Sequence, residues 1–315
     1  MARFILRRAG TLLVTLVLVS VMVFVVVELA SDVSVGRRIL GQFATDEQVA
    51  AYNHEHGYDR PAPVRFLEFA KNAFTLDFGV SIVTNEPAVE SIKPRLKNTL
   101  LLAAIAFIVI MPLAVVLGII SALNEGRVLD RIIAISTLTA TSIPEIATGI
   151  FLLVIFVGWL GWLPGATVIP PGDSVLQHPE FFVLPVLTLT LIEVGYVARI
   201  TRASMVDVLD SAYIRTAYLK GLSYWKIVLR HALRNALLAP IAVIMLHVNW
   251  LVGGIVVTEF IFGYPGLGRY ILSAALNRDV FGLEAATMVL VLIAVGTQII
   301  ADVLYTFLNP RIRFA

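Results

Sequence analysis

The chain has 315 residues, of which 58% are hydrophobic and only 15% charged, with a formal net charge of +2. Soluble domains average about 25% charged and about 45–50% apolar residues, so this composition excludes an ordinary soluble domain and makes a bilayer the natural solvent. The small net charge gives no footing for nucleic acid as a partner, and the absence of cysteine excludes disulfides, thiolate zinc sites, iron–sulfur clusters and a cysteine nucleophile.

A membrane-spanning helix needs about 20 mostly apolar residues. Residues 1–30 open with Arg3, Arg7 and Arg8 and continue as an apolar run from Ala9 to Leu29. That run exceeds the apolar core of roughly 7–15 residues found in cleaved signals, and no small-residue cleavage site follows it, which predicts a retained first span. Residues 31–94 are mixed in polarity and predict an external loop. Within it Val64, Leu67, Ala70, Lys71 and Phe74 follow helical spacing, which predicts a short amphipathic helix on the membrane surface.

The second span is predicted from Thr99 to Leu123, followed by a polar turn from Asn124 to Arg131. The third runs from Ile132 to Leu160 and holds Pro144 near its middle, where the missing N–H and the ring's clash bend or break a helix. Trp162 to Pro185 is rich in Pro and Gly and reads as an irregular loop. The fourth span, Phe181 to Ile200, carries Pro185 near its start and Glu193 inside it. The fifth and sixth run from Leu237 to Val257 and from Leu283 to Leu308. The glycines of Gly263 to Gly268 lack the Gly-Lys-Ser/Thr ending and the strand–helix setting of a phosphate loop, so a tight external turn is expected there. No Walker-type loop occurs, so the chain is not expected to bind ATP itself. His54, Glu55 and His56 are adjacent in sequence but do not make a metal site.

Basic residues set the orientation. With the N-terminus inside, the cytoplasmic pieces hold 14 of them: Arg3, Arg7, Arg8, Arg127, Arg131, Arg199, Arg202, Arg215, Lys220, Lys226, Arg230, Arg234, Arg311 and Arg313. The short external loops hold 2, Arg269 and Arg278, and the other eight lie in the long external segment. Both termini are therefore predicted inside, in agreement with an even number of spans.

The cytoplasmic loop of residues 202–236 carries the strongest functional signal. Two helical halves are expected on either side of Gly221, which tolerates the left-handed conformation of helix ends. The first half runs from Ser204 to Lys220, and Ser223 is placed to cap the second. Leu222, Trp225, Leu229, Ala232 and Ala236 are spaced to share one apolar face, with Lys226, Arg230 and Arg234 as a basic stripe beside it. Two readings fit this pattern: an interfacial helix touching anionic lipid head groups, or a docking surface for a protein partner.

The run from Tyr213 through Ile214, Arg215, Thr216, Ala217, Tyr218, Leu219 and Lys220 to Gly221 resembles the "EAA" loop of ABC importer permeases, in which an Ala and a Gly stand four apart. With Arg230 to Leu237 it looks like the dipeptide/oligopeptide branch, where the leading Glu-Ala is replaced, here by Arg215-Thr216. The start Arg3 to Arg8 is similar to the first of the two paralogous permeases of such systems. So are Arg95 to Thr99, Gly263 to Arg269, Asp302 to Tyr305 and Asn309 to Arg313, so the resemblance covers nearly the whole chain. The family's frequent Gly-Asp-Pro start of the external loop is replaced by Ala30-Ser31-Asp32.

The resemblance implies an all-α integral membrane protein with about six spans, a type I ABC importer permease in the bacterial inner membrane. It implies domains at residues 1–30 (first span), 31–94 (external loop), 95–308 (importer transmembrane domain) and 309–315 (cytoplasmic tail). It also implies partners: a paralogous second permease, two ATPase subunits or domains that bind ATP and Mg, an external solute-binding protein and membrane lipid. Tyr213, Ile214, Arg215, Thr216, Ala217, Leu219, Lys220 and Gly221 would form the coupling helix. Ala217 and Gly221 would permit close approach of the ATPase, and Tyr213 and Leu219 would fill its cleft.

Ionisable residues inside a membrane are functional candidates by default. Glu145, Glu193, His247 and Asn249 are candidates for the translocation path. Glu193 is close to Arg199, which suggests structural pairing, and His247 could instead hydrogen-bond a neighbouring helix. Glu28 and Glu259 sit at span ends and read as interfacial, and Asp302 is placed to pair with a cytoplasmic arginine. A stand-alone secondary transporter would use Glu145, Glu193 and His247 as proton-linked groups but has no use for the Ala217–Gly221 loop. A membrane enzyme would need a catalytic constellation in the spans, and the sequence offers none.

Overall fold

The computed structural model describes residues 2–26, 34–75, 77–81, 83–170, 172–277 and 279–308. Among them the regular structure is helical, and the only strand-like pairing is an isolated bridge between Val80 and Pro87. The helices are α1 (Ala2–Phe24), α2 (Val35–Leu40), α3 (Asp46–Glu55), α4 (Ala62–Thr75), α5 (Ala88–Leu123), α6 (Val128–Ser142) and α7 (Glu145–Leu152). They continue as α8 (Glu180–Leu209), α9 (Ala212–Leu219), α10 (Tyr224–Lys226), α11 (Leu233–Ala236), α12 (Leu238–Ile261), α13 (Leu267–Leu276) and α14 (Val280–Leu308). Single π-helical stretches, Leu153–Trp159 and Ile227–Ala232, continue α7 and α10.

Among the described residues, α5, α8 and the Val280–Ala301 part of α14 are each long and apolar enough to cross a bilayer. Two bent helix pairs raise the number to five, and α1 contributes a further apolar stretch, Leu13–Phe24. The third segment is no straight span. Ile143 leaves the helical conformation at Pro144, and Val128–Ser142 and Glu145–Trp159 meet at 104°. Pro185 leaves α8 unbroken, because it sits in the second turn, where few hydrogen bonds precede it to be lost. Two elements begin or end well outside the predicted bounds. α5 starts eleven residues before Thr99, held by the buried Ala88, Ser91 and Ile92, and α8 runs on to Leu209.

The chain divides into two compact units. The first holds residues 1–99 and 265–296. Its core joins Phe24, Phe69, Phe78, Ile92, Leu267 and Ala285. The amphipathic helix is present as α4, but its buried face differs from the predicted one. Phe66 and Phe69 pack on Phe24 at ring separations of 5.4 and 6.0 Å, while Val64 and Leu67 are exposed. Aromatic mass outweighs the smaller aliphatic stripe; the Phe74 side chain lies outside the described residues. Two helices in this segment were not predicted, α2 and α3, the latter opened by a reciprocal cap between Thr45 and Gln48. α13 was likewise unpredicted; it follows the Gly263 turn, and Thr99 Oγ1 accepts from the Leu267 N–H at 2.7 Å.

The second unit holds residues 100–264 and 297–315. Leu102, Ala106, Ile110 and Ala114 on α5, Leu189 and Val197 on α8, and Ile244 and Ile255 on α12 form its main core. Large apolar side chains such as Ile108, Ile135, Leu138 and Phe151 point outward, as a lipid-facing surface requires.

Candidate coupling segment and membrane-embedded polar groups

The segment after α8 is built by local backbone chemistry. α8 stops at Leu209, and Ser211 is extended and starts α9, its carbonyl accepting from the N–H groups of Ile214 and Arg215 at 3.1 and 3.2 Å. The expected helix from Ser204 to Lys220 is therefore two helices with a corner at Asp210–Ser211. At the other end Gly221 has φ +73°. The Leu222 N–H reaches the Ala217 carbonyl at 3.3 Å and the Gly221 N–H reaches that of Tyr218 at 2.9 Å. This pair of bonds is the glycine-closed helix end that the sequence suggested. Ser223 occupies the N-cap position of α10, with its backbone carbonyl bonded to Ile227 but no capping bond from its side chain.

α9 is tethered by one face. Ile214 is fully buried and Ala217 is 8% exposed, packed with Met205, Ile227, Val228, Ala232 and Ala236. Burying one such isoleucine is worth about 1.5–3 kcal/mol. Ala217 thus faces the protein's own interior and does not line the outer surface. The other face presents Arg215, Thr216, Tyr218, Leu219 and Lys220, with Leu219 83% exposed. Tyr213 is half-exposed, and its hydroxyl accepts from Asn235 Nδ2 at 2.9 Å, which ties it to α11.

The apolar face expected in the second half is also revised. Ala232 and Ala236 are buried, but Trp225 and Leu229 are exposed and Ile227 and Val228 take their place. The cause is the π-helical stretch Ile227–Ala232: its i→i+5 bonding shifts the helix phase, so a 3.6-residue pattern misassigns the face. Lys226, Arg230 and Arg234 are exposed, as the basic stripe required.

A polar clamp braces the base of α8. Arg202 Nε and Nη2 donate to the two carboxylate oxygens of Asp130 at 2.7 and 2.8 Å, the strong two-point geometry. The same carboxylate accepts from Ser121 Oγ and from the Gly126 N–H at 2.9 Å, and is almost fully buried. Sequence reading passed over Asp130 as part of a polar turn. The available signal was an acid in the first turn of a helix, where the helix dipole favours it, on a side of the membrane otherwise rich in arginine.

Within the spans Glu193 does not pair with Arg199, which is exposed. His247 Nδ1 of α12 lies 2.5 Å from Glu193 Oε2 of α8, with both groups mostly buried. The Tyr196 ring packs 5.1 Å from the imidazole. Glu145, immediately after the Pro144 break, accepts a hydrogen bond from Thr258 Oγ1 of α12. Two inward carboxylates thus hang on α12 from different helices. Glu259, near the C-terminal end of α12, is fully buried within the protein. Glu28 and the side chains of Asn249 and Asp302 lie outside the described residues.

Residues 114–314 match the family described as binding-protein-dependent transport system inner membrane component, and residues 1–103 match its N-terminal companion. The chain belongs to this family. It is a permease subunit of an ABC importer, resident in the inner membrane. A protein of Brucella abortus named for a peptide transport system permease is 33% identical over the full length of both chains. The glutathione transport system permease of Shigella flexneri is 35% identical over 314 residues, again the whole of both chains. Among solved structures, a chain of the MetNI methionine ABC transporter in an inward-facing conformation superposes with a TM-score of 0.52 at 18% identity, covering 70% of this permease and 95% of that chain. The last match speaks for the fold alone.

Proposed function

We propose that this permease forms half of the path for short peptides, moved inward by a cytoplasmic ATPase that seats α9 in a cleft. The observation that carries it is α9 itself: a short helix fixed inward by Ile214 and Ala217, closed by Gly221, and offering the exposed Leu219 outward. Burial on one face makes the helix a rigid lever, and exposure on the other leaves apolar surface for a partner to cover. A basic stripe for lipid alone would not require that outward leucine. Arg215, Thr216 and Lys220 form the polar rim of the contact. The assembly includes a paralogous second permease, two ATPase subunits that hold ATP and Mg, and an external binding protein that delivers cargo. Residues 31–94 form the external loop, and 95–308 the transmembrane domain, with the coupling loop at 202–236.

Peptide is the cargo supported by the relatives' names, glutathione being a peptide relative in the same set. Glu145, Glu193, His247 and Asn249 are the polar groups assigned to the path, since groups of this kind inside a membrane mark substrate routes. The test is co-purification. Leu219→Glu, at a position that makes little contact with the rest of the chain, should leave membrane insertion and thermal stability unchanged and reduce ATPase capture at least tenfold. Capture at the wild-type level would refute the docking assignment.

A further inference from the structure

The helix after Gly221 presents a face that docking of α9 leaves unused. α10, the π-helical stretch and α11 run on as one helix, Tyr224–Ala236, which meets the Leu238–Met245 start of α12 at 43° across the single residue Leu237. The two pieces are together long and apolar enough for one bent span, which puts this helix where α12 leaves the bilayer. Ile227, Val228 and Ala232 fix its inner side. Outside, Trp225 and Leu229, four apart, are 61% and 62% exposed, and Leu238 at the head of α12 is exposed as well. The Tyr224 ring meets the Trp225 indole edge-on at 5.4 Å. Lys226, Arg230 and Arg234, again four apart, are exposed beside this apolar strip. Among the described residues no ion pair neutralises any of the three.

We propose that this face is a binding site for anionic phospholipid head groups, with Trp225, Leu229 and Leu238 against the upper acyl chains and Lys226, Arg230 and Arg234 on the phosphates. Charge is the first reason. Three cations with no carboxylate of their own call for a surface of fixed negative charge, and each Lys or Arg near such a surface is worth about fivefold in affinity. The indole is the second. Its apolar ring and single N–H donor suit the head-group level of a membrane. Continuity is the third: the apolar strip passes onto Leu238 of a bilayer helix, out of reach of a water-soluble protein. The proposal rests on the cytoplasmic placement of residues 202–236 and adds a second contact to it, with α9 on the ATPase and the next helix on the leaflet. Anionic lipid then holds the base of the lever against the membrane.

The test uses the full chain in nanodiscs. Trp159→Phe, Trp162→Phe and Trp250→Phe leave Trp225 as the single indole; if that background does not fold, the difference between wild type and Trp225→Phe isolates the same signal. Trp225 fluorescence is measured with phosphatidylglycerol brominated on the upper acyl chain, then with phosphatidylcholine brominated alike at the same mole fraction. The anionic lipid should quench at least about threefold more strongly. Molar salt, which shortens the screening length to about 3 Å, should abolish the difference. Combining Lys226→Gln, Arg230→Gln and Arg234→Gln should abolish it too, and the salt comparison decides if that variant misfolds. Equal quenching by the two lipids, or a preference that survives salt or the folded triple variant, would overturn the site. Equal quenching together with loss of ATPase capture by the triple variant would assign the stripe to the ATPase and overturn it likewise. Capture through Leu219 is measured separately, so intact capture with no lipid preference overturns this site alone.

Discussion

Gly118 of α5 passes Thr201 of α8 so closely that a Cβ at residue 118 would fall 2.5 Å from Thr201 Cβ and 2.6 Å from the Ala198 carbonyl oxygen. Helices inside a membrane gain little from the hydrophobic effect against one another, and small residues let their backbones approach for dispersion contact. Here the contact falls at the residue before Arg202, on the helix that leads into α9. Gly118→Val should therefore force α5 and α8 apart and cost about 1–3 kcal/mol. Thermal unfolding of the detergent-solubilised chain should fall accordingly, whereas Gly126→Ala, whose added methyl would meet nothing within 4 Å, should lose only what its positive φ demands.

The clamp between Arg202 and Asp130 makes a sharper forecast, because its two partners are unequal. The Arg202 side chain is 31% exposed and has Glu125 at 3.7 Å as a second partner, whereas that of Asp130 is only 7% exposed. Removing the cation strands a buried carboxylate; removing the carboxylate leaves a cation that can turn to Glu125 and water. Arg202→Met should therefore destabilise more than Asp130→Asn, by about 1–2 kcal/mol, within the usual range for a broken buried partner. The double variant should be less damaged than the sum of the two single ones. Equal or reversed losses in a denaturation series would show that the carboxylate does not depend on the arginine.

The spans and the helices after α8 were largely legible because each rests on a local rule. Length and apolarity mark α5, α8 and α14, Pro144 marks the break, and Gly221 marks the helix end through its positive φ. What escaped depends on bonding that composition does not encode. The π-helical stretch at Ile227–Ala232 moved Trp225 and Leu229 to the surface. The corner at Asp210–Ser211 divided a run with continuous helical character. Glu193 met His247, 54 residues away on another helix, instead of its near neighbour Arg199. Pairing across helices is a tertiary choice, and sequence proximity is a poor guide to it. Ala217 follows the same rule: it lies buried against the protein's own Met205, Ile227 and Val228.

The loop before α8 contains a titratable cluster with a definite sign. His178 Nε2 lies 3.0 Å from Asp173 Oδ2 and its Nδ1 lies 3.3 Å from Glu180 Oε1, with the Phe181 ring 5.5 Å away and tilted by 42°. The bond to Asp173 is the main cause that raises the imidazole pKa above its ordinary 6.5, with Glu180 adding to it and partial burial opposing it. A raised folded-state pKa means that the protonated ring favours the folded loop. Its stabilising contribution is fully present below about pH 6.5, the value in an unfolded chain, and is lost as the pH climbs through the raised value. An NMR titration of the His178 ring should give a midpoint above 6.5, and Asp173→Asn should bring it down toward that figure. Hydrogen exchange in residues 172–179 should quicken as the pH rises past that midpoint, beyond the intrinsic pH trend, and the excess should shrink in Asp173→Asn. A midpoint at or below 6.5 in the wild type would remove the Asp173 and Glu180 contacts as determinants of the loop.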